Sequence, residues 1–255
     1  MQTNSRKLTP YEETQLARYG TSSTDLSATS APVEYITGKA EFCNHIFEVG
    51  PEVLIPRIET EELVASAVTW VESFSRSTIP QIVDVGTGSG ALAISIAAFL
   101  NKKSINYHMT ATEVSESALN RAVKNATNIL GDQHGIDFIH TSLLEKVHTQ
   151  FDCIVANLPY IPSERIAYLD ESVKDHEPHV ALDGGPDGLT LIRELLIQAK
   201  KLLSPNGIIL MEVDHTHTLE AWQEFFDDWE VTITHDSLQN TRFAQITHNH
   251  NSPIK

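Results

Sequence analysis

The sequence predicts an α/β fold: a doubly wound, mostly parallel sheet of seven strands with an antiparallel pair at its C-terminal edge. Three observations carry that expectation. From Gln81 onward, short runs rich in Val and Ile alternate with longer segments of helical apolar spacing, the pattern of βαβ units with right-handed crossovers. A glycine-rich turn, "VGTGSG", joins the first of those strands to its helix. The last two strand-like runs, "EVTITHD" and "RFAQITH", have no helix between them and should pair antiparallel at the edge.

Taken in order, residues 1–32 are polar and include the Ser/Thr-rich stretch "GTSSTDLSATSAP". They are expected to supply one short helix around Tyr11 to Tyr19 and otherwise to be a partly disordered linker. From Val33 to Pro56 the apolar positions roughly alternate and are broken by Gly38 and "GP", which predicts a hairpin. "RIETEELVASAVTWVESF" has Leu63, Val64, Ala67, Val68 and Val71 at helical spacing behind acidic residues suited to a helix N-terminus. Hairpin and linking helix thus span 33–78, with a boundary near Arg76 to Pro80. The main domain, 79–248, then reads "QIVDV" strand, "SGALAISIAAFL" helix, "YHMTATEV" strand, "SESALNRAVKNATNIL" helix ending at Gly131, and "IDFIH" strand. It continues with "FDCIVAN" strand, "GLTLIRELLIQAKKLL" helix closed by "SPNG", "GIILMEV" strand and "TLEAWQEFFDDW" helix before the final pair. Residues 249–255 are expected to be a disordered tail.

Length and charge narrow the function. A chain of 255 residues with 41% hydrophobic residues buries one sizeable core. Lys and Arg number 18 against 34 Asp and Glu, a formal net charge of -16, with no dense basic cluster of the kind that neutralises phosphates. Nucleic acid is therefore an unlikely partner, and the acidic surface suits a protein one. Cys43 and Cys153 stand far apart and outside any metal-ligand spacing, so reduced thiols and no metal site are expected. The first residues carry no signal-peptide core, and no window reaches the roughly 20 apolar residues of a membrane span, so a cytoplasmic protein is expected. A monomer is the expected oligomeric state.

"VDVGTGSGALAI" places Asp84, Gly86, Thr87, Gly88, Ser89 and Gly90 between strand and helix, where the backbone can turn tightly and helix N–H groups face a ligand. Glu113 ends the next strand 23 residues after Gly90, a spacing suited to ribose hydroxyls. Nicotinamide dinucleotides and S-adenosylmethionine both satisfy this pattern. The D-x-G-x-G-x-G order and the antiparallel final pair resemble the Rossmann-like S-adenosylmethionine-dependent methyltransferases.

Downstream, "VANLPYIP" delivers Asn157 to the carboxyl end of the sheet. "NLPY" resembles the [N/D/S]-P-P-[Y/F/W] signature of methyltransferases acting on planar nitrogens conjugated to a π-system. Such a nitrogen has a delocalised lone pair and attacks poorly until acceptors hold its N–H groups. The Asn157 side-chain oxygen and the Leu158 carbonyl are two acceptors, Pro159 restricts Leu158 to extended geometry, and the Tyr160 ring can stack on the target. Leu158 stands where glutamine-directed members usually carry Pro, but its carbonyl survives, so activity is expected to be retained.

"NLPY" alone also resembles the ribosomal-RNA adenine dimethyltransferases. The flanks, "PVEYITGKAEFCNHIFEVGPEVLIPRIETEELV" and "EPHVALDGGPDGLTLIRELLIQAKKLLSPNGIILMEV", resemble the HemK/PrmC family of release-factor glutamine N5-methyltransferases in the right order over most of Pro32 to Val213. That resemblance implies transfer of methyl from S-adenosylmethionine to the glutamine of the Gly-Gly-Gln motif in class I peptide chain release factors. It further implies that Asp84, the loop from Gly86 to Gly90, Glu113, Leu143 and Asn157 hold the cofactor, and that Asn157, Leu158, Pro159 and Tyr160, with Arg57, hold the glutamine. Ser142 replaces the family's usual Asp. Arg57, Glu59 and Thr60 in "PRIET" match Pro-Arg-x-Glu-Thr and are candidates for the site wall, an ion pair or a helix cap. Where the family carries a helical N-terminal domain, about thirty polar residues precede "PVEYITG". Two alternatives stay open: an adenine-N6 methyltransferase on RNA or DNA, and a catalytically impaired cofactor-binding module.

Overall fold

The structure is a computed structural model that describes residues 7–20, 30–74 and 78–250. Helix α1 (Pro10–Tyr19) opens on a reciprocal cap: Thr9 Oγ1 accepts from the Glu12 amide and Glu12 Oε2 from the Thr9 amide, satisfying two helix-end donors. It docks on the next segment through Gln15 Nε2, which donates to the Lys39 carbonyl at 2.7 Å. Most of the predicted linker after Tyr19, the heart of the predicted boundary at 75–77, and the tail beyond His250 lie outside the described residues.

The hairpin forms, but shorter than its apolar pattern suggested. Val33–Thr37 is a helical turn, α2, and pairing is confined to β1 (Lys39–Phe42) and β2 (His45–Glu48). Its two-residue turn holds Cys43 and Asn44 at φ 48° and 62°, the left-handed geometry that matches strand twist. Cys43 donates its amide to Glu61 Oε1 at 2.7 Å, and burial pushes its thiol up to about 12, so it behaves as a small apolar side chain. Helix α3 (Thr60–Ser73) then buries the predicted stripe of Leu63, Val64, Ala67, Val68 and Val71.

The sheet proper comprises β3 (Gln81–Val85), β4 (His108–Glu113), β5 (Ile136–His140), β6 (Phe151–Ala156), β7 (Leu203–Glu212), β8 (Trp229–His235) and β9 (Thr241–His248). Their order is β5-β4-β3-β6-β7-β9-β8, with the first five parallel and β9 antiparallel to both neighbours, as the missing crossover helix predicted. Helices α4 (Ala91–Lys102), α5 (Glu116–Leu130) and α7 (Thr190–Leu202) make the crossovers, with a short α6 (Glu171–Lys174) in the loop after β6.

Two local expectations are corrected. "SPNG" lies within β7 as an outward irregularity: Leu203 pairs with Phe151 but Ile208 with Cys153. "TLEAWQEFFDDW" is 3-10 rather than α over Leu219–Phe225; three residues per turn superpose Trp222 and Phe225, both buried.

Strand alternation divides the core between the faces of the sheet. Ile82, Cys153, Val155 and Leu210 point into a cluster that also contains Phe42, Phe47, Leu63 and Ile94, so hairpin, α3 and α4 bury one another. Val83, Val85, Ile154 and Met211 point the other way, against Ile192, Leu195 and Leu196 of α7 and against Trp222. Residues on both sides of the predicted boundary therefore share one core. The carboxyl ends of β3, β4 and β6 meet at one rim, beside the point where strand order reverses.

Candidate active site

The rim begins at β3. Asp84 is fully buried and accepts from Thr87 Oγ1 at 2.6 Å and from the Ala93 amide at 3.1 Å, tying the glycine loop to the first turn of α4. Burial raises its carboxyl to about 7, against the lowering effect of those two bonds. Gly90 is the N-cap of α4 at φ 85°, and a Cβ there would lie 2.6 Å from Ile94 Cδ1. Asp84 and Gly90 thus shape the loop from behind. Gly86, Thr87, Gly88 and Ser89 line the cavity in front of it.

Glu113 ends β4 and faces the same cavity. Its Oε2 accepts from the Gly88 amide and its Oε1 from the amides of Val114 and Ser115, each at 2.9 Å. The carboxylate is therefore held in one pose with lone pairs left for further donors. Ser142 and Leu143 line the adjoining wall, and Leu143 stands at φ 45°, a conformation that costs a branched residue on the order of 1–3 kcal/mol.

At the end of β6, Asn157, Leu158 and Pro159 close the opposite wall. Asn157 Nδ2 donates to Glu212 Oε2 and to Thr60 Oγ1, at 3.2 Å each. With its nitrogen so engaged, the amide oxygen is the branch available to the cavity that Asn157 lines. Leu158 is buried, with its side chain beneath Gly86, so the residue without a proline ring is fixed by packing. Tyr160 lies off the cavity: its hydroxyl donates to Glu212 Oε1 at 2.8 Å, and burial, then the Glu212 charge, hold the phenol neutral well above its ordinary range. The Tyr160 hydroxyl thus supports the carboxylate behind Asn157.

The site is closed by Arg57 and Thr60, candidates from the sequence, through partners that the sequence did not mark: Glu177 and Glu212. Arg57 lines the cavity and its Nη2 donates to Glu177 Oε1 at 2.5 Å, while Glu177 Oε2 accepts from the Ile55 amide at 3.3 Å. This pair joins the segment before α3 to the loop of Pro178, Val180 and Ala181, which forms part of the cavity wall. Gly188, at φ 80°, passes so close to the turn that a Cβ would sit 2.2 Å from the Tyr160 carbonyl oxygen. Thr60, first residue of α3, lines the cavity and donates to Glu212 Oε2 at 2.6 Å, and Glu59 is the N-cap residue without a side-chain cap. The glycines of "DGGPDG" are the local feature that could have marked this close approach; nothing local marks Glu212.

The cavity thus bounded measures about 290 Å³. The methyltransferase small domain family matches residues 36–170. The release factor glutamine methyltransferase of Lactococcus lactis is 36% identical over 84% of this chain and 77% of its own length. The protein of that name from Streptomyces coelicolor is 35% identical over 84% of this chain and 74% of its own, and that from Moorella thermoacetica 38% over 74% and 64%. The chain belongs to the release factor glutamine methyltransferase family. Among solved structures, the hMettl16 catalytic domain in complex with MAT2A 3'UTR hairpin 6 has a TM-score of 0.60 at 20% identity, covering 82% of this chain and 77% of that one. A ribosomal protein L11 methylase from Lactobacillus delbrueckii has 0.52 at 21%, covering 76% and 81%. Those two share the fold.

For this release factor glutamine methyltransferase family member, S-adenosylmethionine is the cofactor, and the residues present fit it. The loop backbone from Gly86 to Gly88 is open to close approach, and Glu113 is an oriented acceptor on the same cavity. Among the described residues no helix is long and apolar enough to cross a membrane.

Proposed function

We propose that the protein methylates the side-chain amide nitrogen of the glutamine in the Gly-Gly-Gln motif of class I peptide chain release factors, as a cytoplasmic monomer. The observation that carries this reading is the Asn157 amide, whose nitrogen is committed to Glu212 and Thr60 so that its oxygen can accept from a planar N–H₂ group. The Leu158 carbonyl would take the second N–H, and two acceptors together favour the localised lone pair that a resonance-stabilised amide lacks. S-adenosylmethionine, bound by the loop at Gly86 to Ser89, Glu113 and Leu143, supplies the electrophilic methyl. Residues 79–248 carry that chemistry, while the segment before α3 and the first residue of α3 close one wall through Arg57 and Thr60.

A protein substrate is favoured over nucleic acid by charge. Arg57 is the one Lys or Arg among the described cavity-lining residues, it is paired with Glu177, and the chain carries a net charge of -16. The test is incubation with methyl-labelled S-adenosylmethionine and, separately, a class I release factor, the same factor with its motif glutamine replaced, and ribosomal RNA. Label only in the unmodified factor is expected. Label in RNA alone would replace this reading with adenine methylation, and label in none would mark a binding module.

A further inference from the structure

Behind the Asn157 turn lies a carboxylate that lines no part of the cavity. Glu212, the last residue of β7, is 1% exposed and sits on the α3 face of the sheet. Its Oε2 accepts from Thr60 Oγ1 at 2.6 Å and from Asn157 Nδ2 at 3.2 Å. Its Oε1 accepts from the Tyr160 hydroxyl at 2.8 Å, and Arg242 Nη1 stands 3.7 Å from the same oxygen. Arg242 is itself held by Asp236. Burying a carboxylate is costly: desolvation, and then the charge of Glu59, push the Glu212 pKa up, and the hydrogen bonds from Thr60 and Tyr160 with the Arg242 cation counter that.

We propose that Glu212 is a positioning residue that sets which way the Asn157 amide faces. An amide side chain has an acceptor and a donor branch of nearly equal size, so packing alone does not orient it. Both Glu212 oxygens accept here, Oε1 from Tyr160 and Oε2 from Thr60 and Asn157. The single Thr60 proton is spent on Glu212, so the Thr60 oxygen presents a lone pair to Asn157 as well. Both groups behind Asn157 thus demand its nitrogen, and the oxygen is driven to the cavity. The turned-over amide would aim two N–H groups at a substrate amide that also donates, and one of the two required acceptors would be lost. The substrate half of this inference rests on the glutamine reading; the orientation half does not.

Glu212→Gln tests it with almost no change in shape. The Gln oxygen is held on the side of Arg242 and Tyr160, both donors, which turns its N–H₂ toward Thr60 and Asn157. Asn157 then flips. Expected are a fall in kcat of about 100-fold or more, S-adenosylmethionine affinity within about twofold, and loss of hydrogen-exchange protection at the Asn157 side-chain amide by NMR. Adding Asn157→Asp to that variant should restore at least about tenfold of the lost activity, because a carboxylate has no wrong branch and accepts from the Gln N–H₂. Asn157→Asp alone sets two carboxylates together and should be worse than the pair. A merely structural role for Glu212 would make the two changes additive. Unchanged amide protection in Glu212→Gln, or a double variant no better than Glu212→Gln, overturns the proposal. If the unaltered protein does not label release factor, the glutamine reading fails, and the amide measurement still decides the orientation.

Discussion

Replacing Asn157 by Ala separates support of the substrate from support of the cofactor. The change deletes the amide oxygen on the cavity side and the two donations of 3.2 Å to Glu212 and Thr60. Glu212 keeps Thr60 at 2.6 Å and Tyr160 at 2.8 Å, so its charge is not stranded. Two long hydrogen bonds from a half-buried side chain amount to about 1–2 kcal/mol, or a drop in Tm of roughly 2–8 °C for a chain of this size. Losing one oriented group that acts mainly in the transition state costs on the order of 10²–10³ in kcat. Glu113 and the loop at Gly86 to Ser89 are untouched, so the Kd for S-adenosylmethionine should move by less than about threefold. Single-turnover transfer of labelled methyl, titration calorimetry and thermal melting measure the three quantities. If cofactor affinity falls in step with the rate, Asn157 belongs to the cofactor site and the assignment of its oxygen to substrate is wrong.

Asp84, raised from 3.8 to about 7 by burial, binds a proton in the folded state that it lacks in the unfolded chain between those values. Its stabilising contribution is thus full below about pH 4 and lost as pH rises to about 7, with a slope of up to ~1.4 kcal/mol per pH unit. Denaturation as a function of pH should show that component in the unaltered protein and not in Asp84→Asn; equal slopes would refute it. Gly188→Ala should cost roughly 2–4 kcal/mol in chemical denaturation and lower transfer, because the left-handed backbone and a Cβ 2.2 Å from the Tyr160 carbonyl oxygen both force the turn to move. Arg57→Met leaves Glu177, whose side chain is 1% exposed, without its cation. With a partly exposed guanidinium the loss should be roughly 2 kcal/mol, and adding Glu177→Gln should recover most of it; a melting temperature indifferent to both changes would show that the pair does not hold the wall.

What the sequence by itself determined is what repeats locally along the chain. Alternating strand and helix patterns specified the parallel sheet, the absent crossover helix specified the antiparallel edge, and the glycine loop, Glu113 and Asn157 fell at strand ends because strand ends are where apolar runs stop. Short elements were less legible: at Val33–Thr37 and Leu219–Phe225 a few apolar positions fit more than one period, and packing chose. Tyr160, Asp84 and Gly90 were legible as belonging to the site, but tertiary contacts turned them away from the cavity to support those residues that line it. The Glu212 network joins Thr60 and Asn157 across separations of 152 and 55 residues. No local pattern encodes such a meeting, because hydrogen bonding depends on distance in space, and only the closed sheet brings α3 and the end of β6 to one carboxylate oxygen of β7, with Thr60 nearest at 2.6 Å.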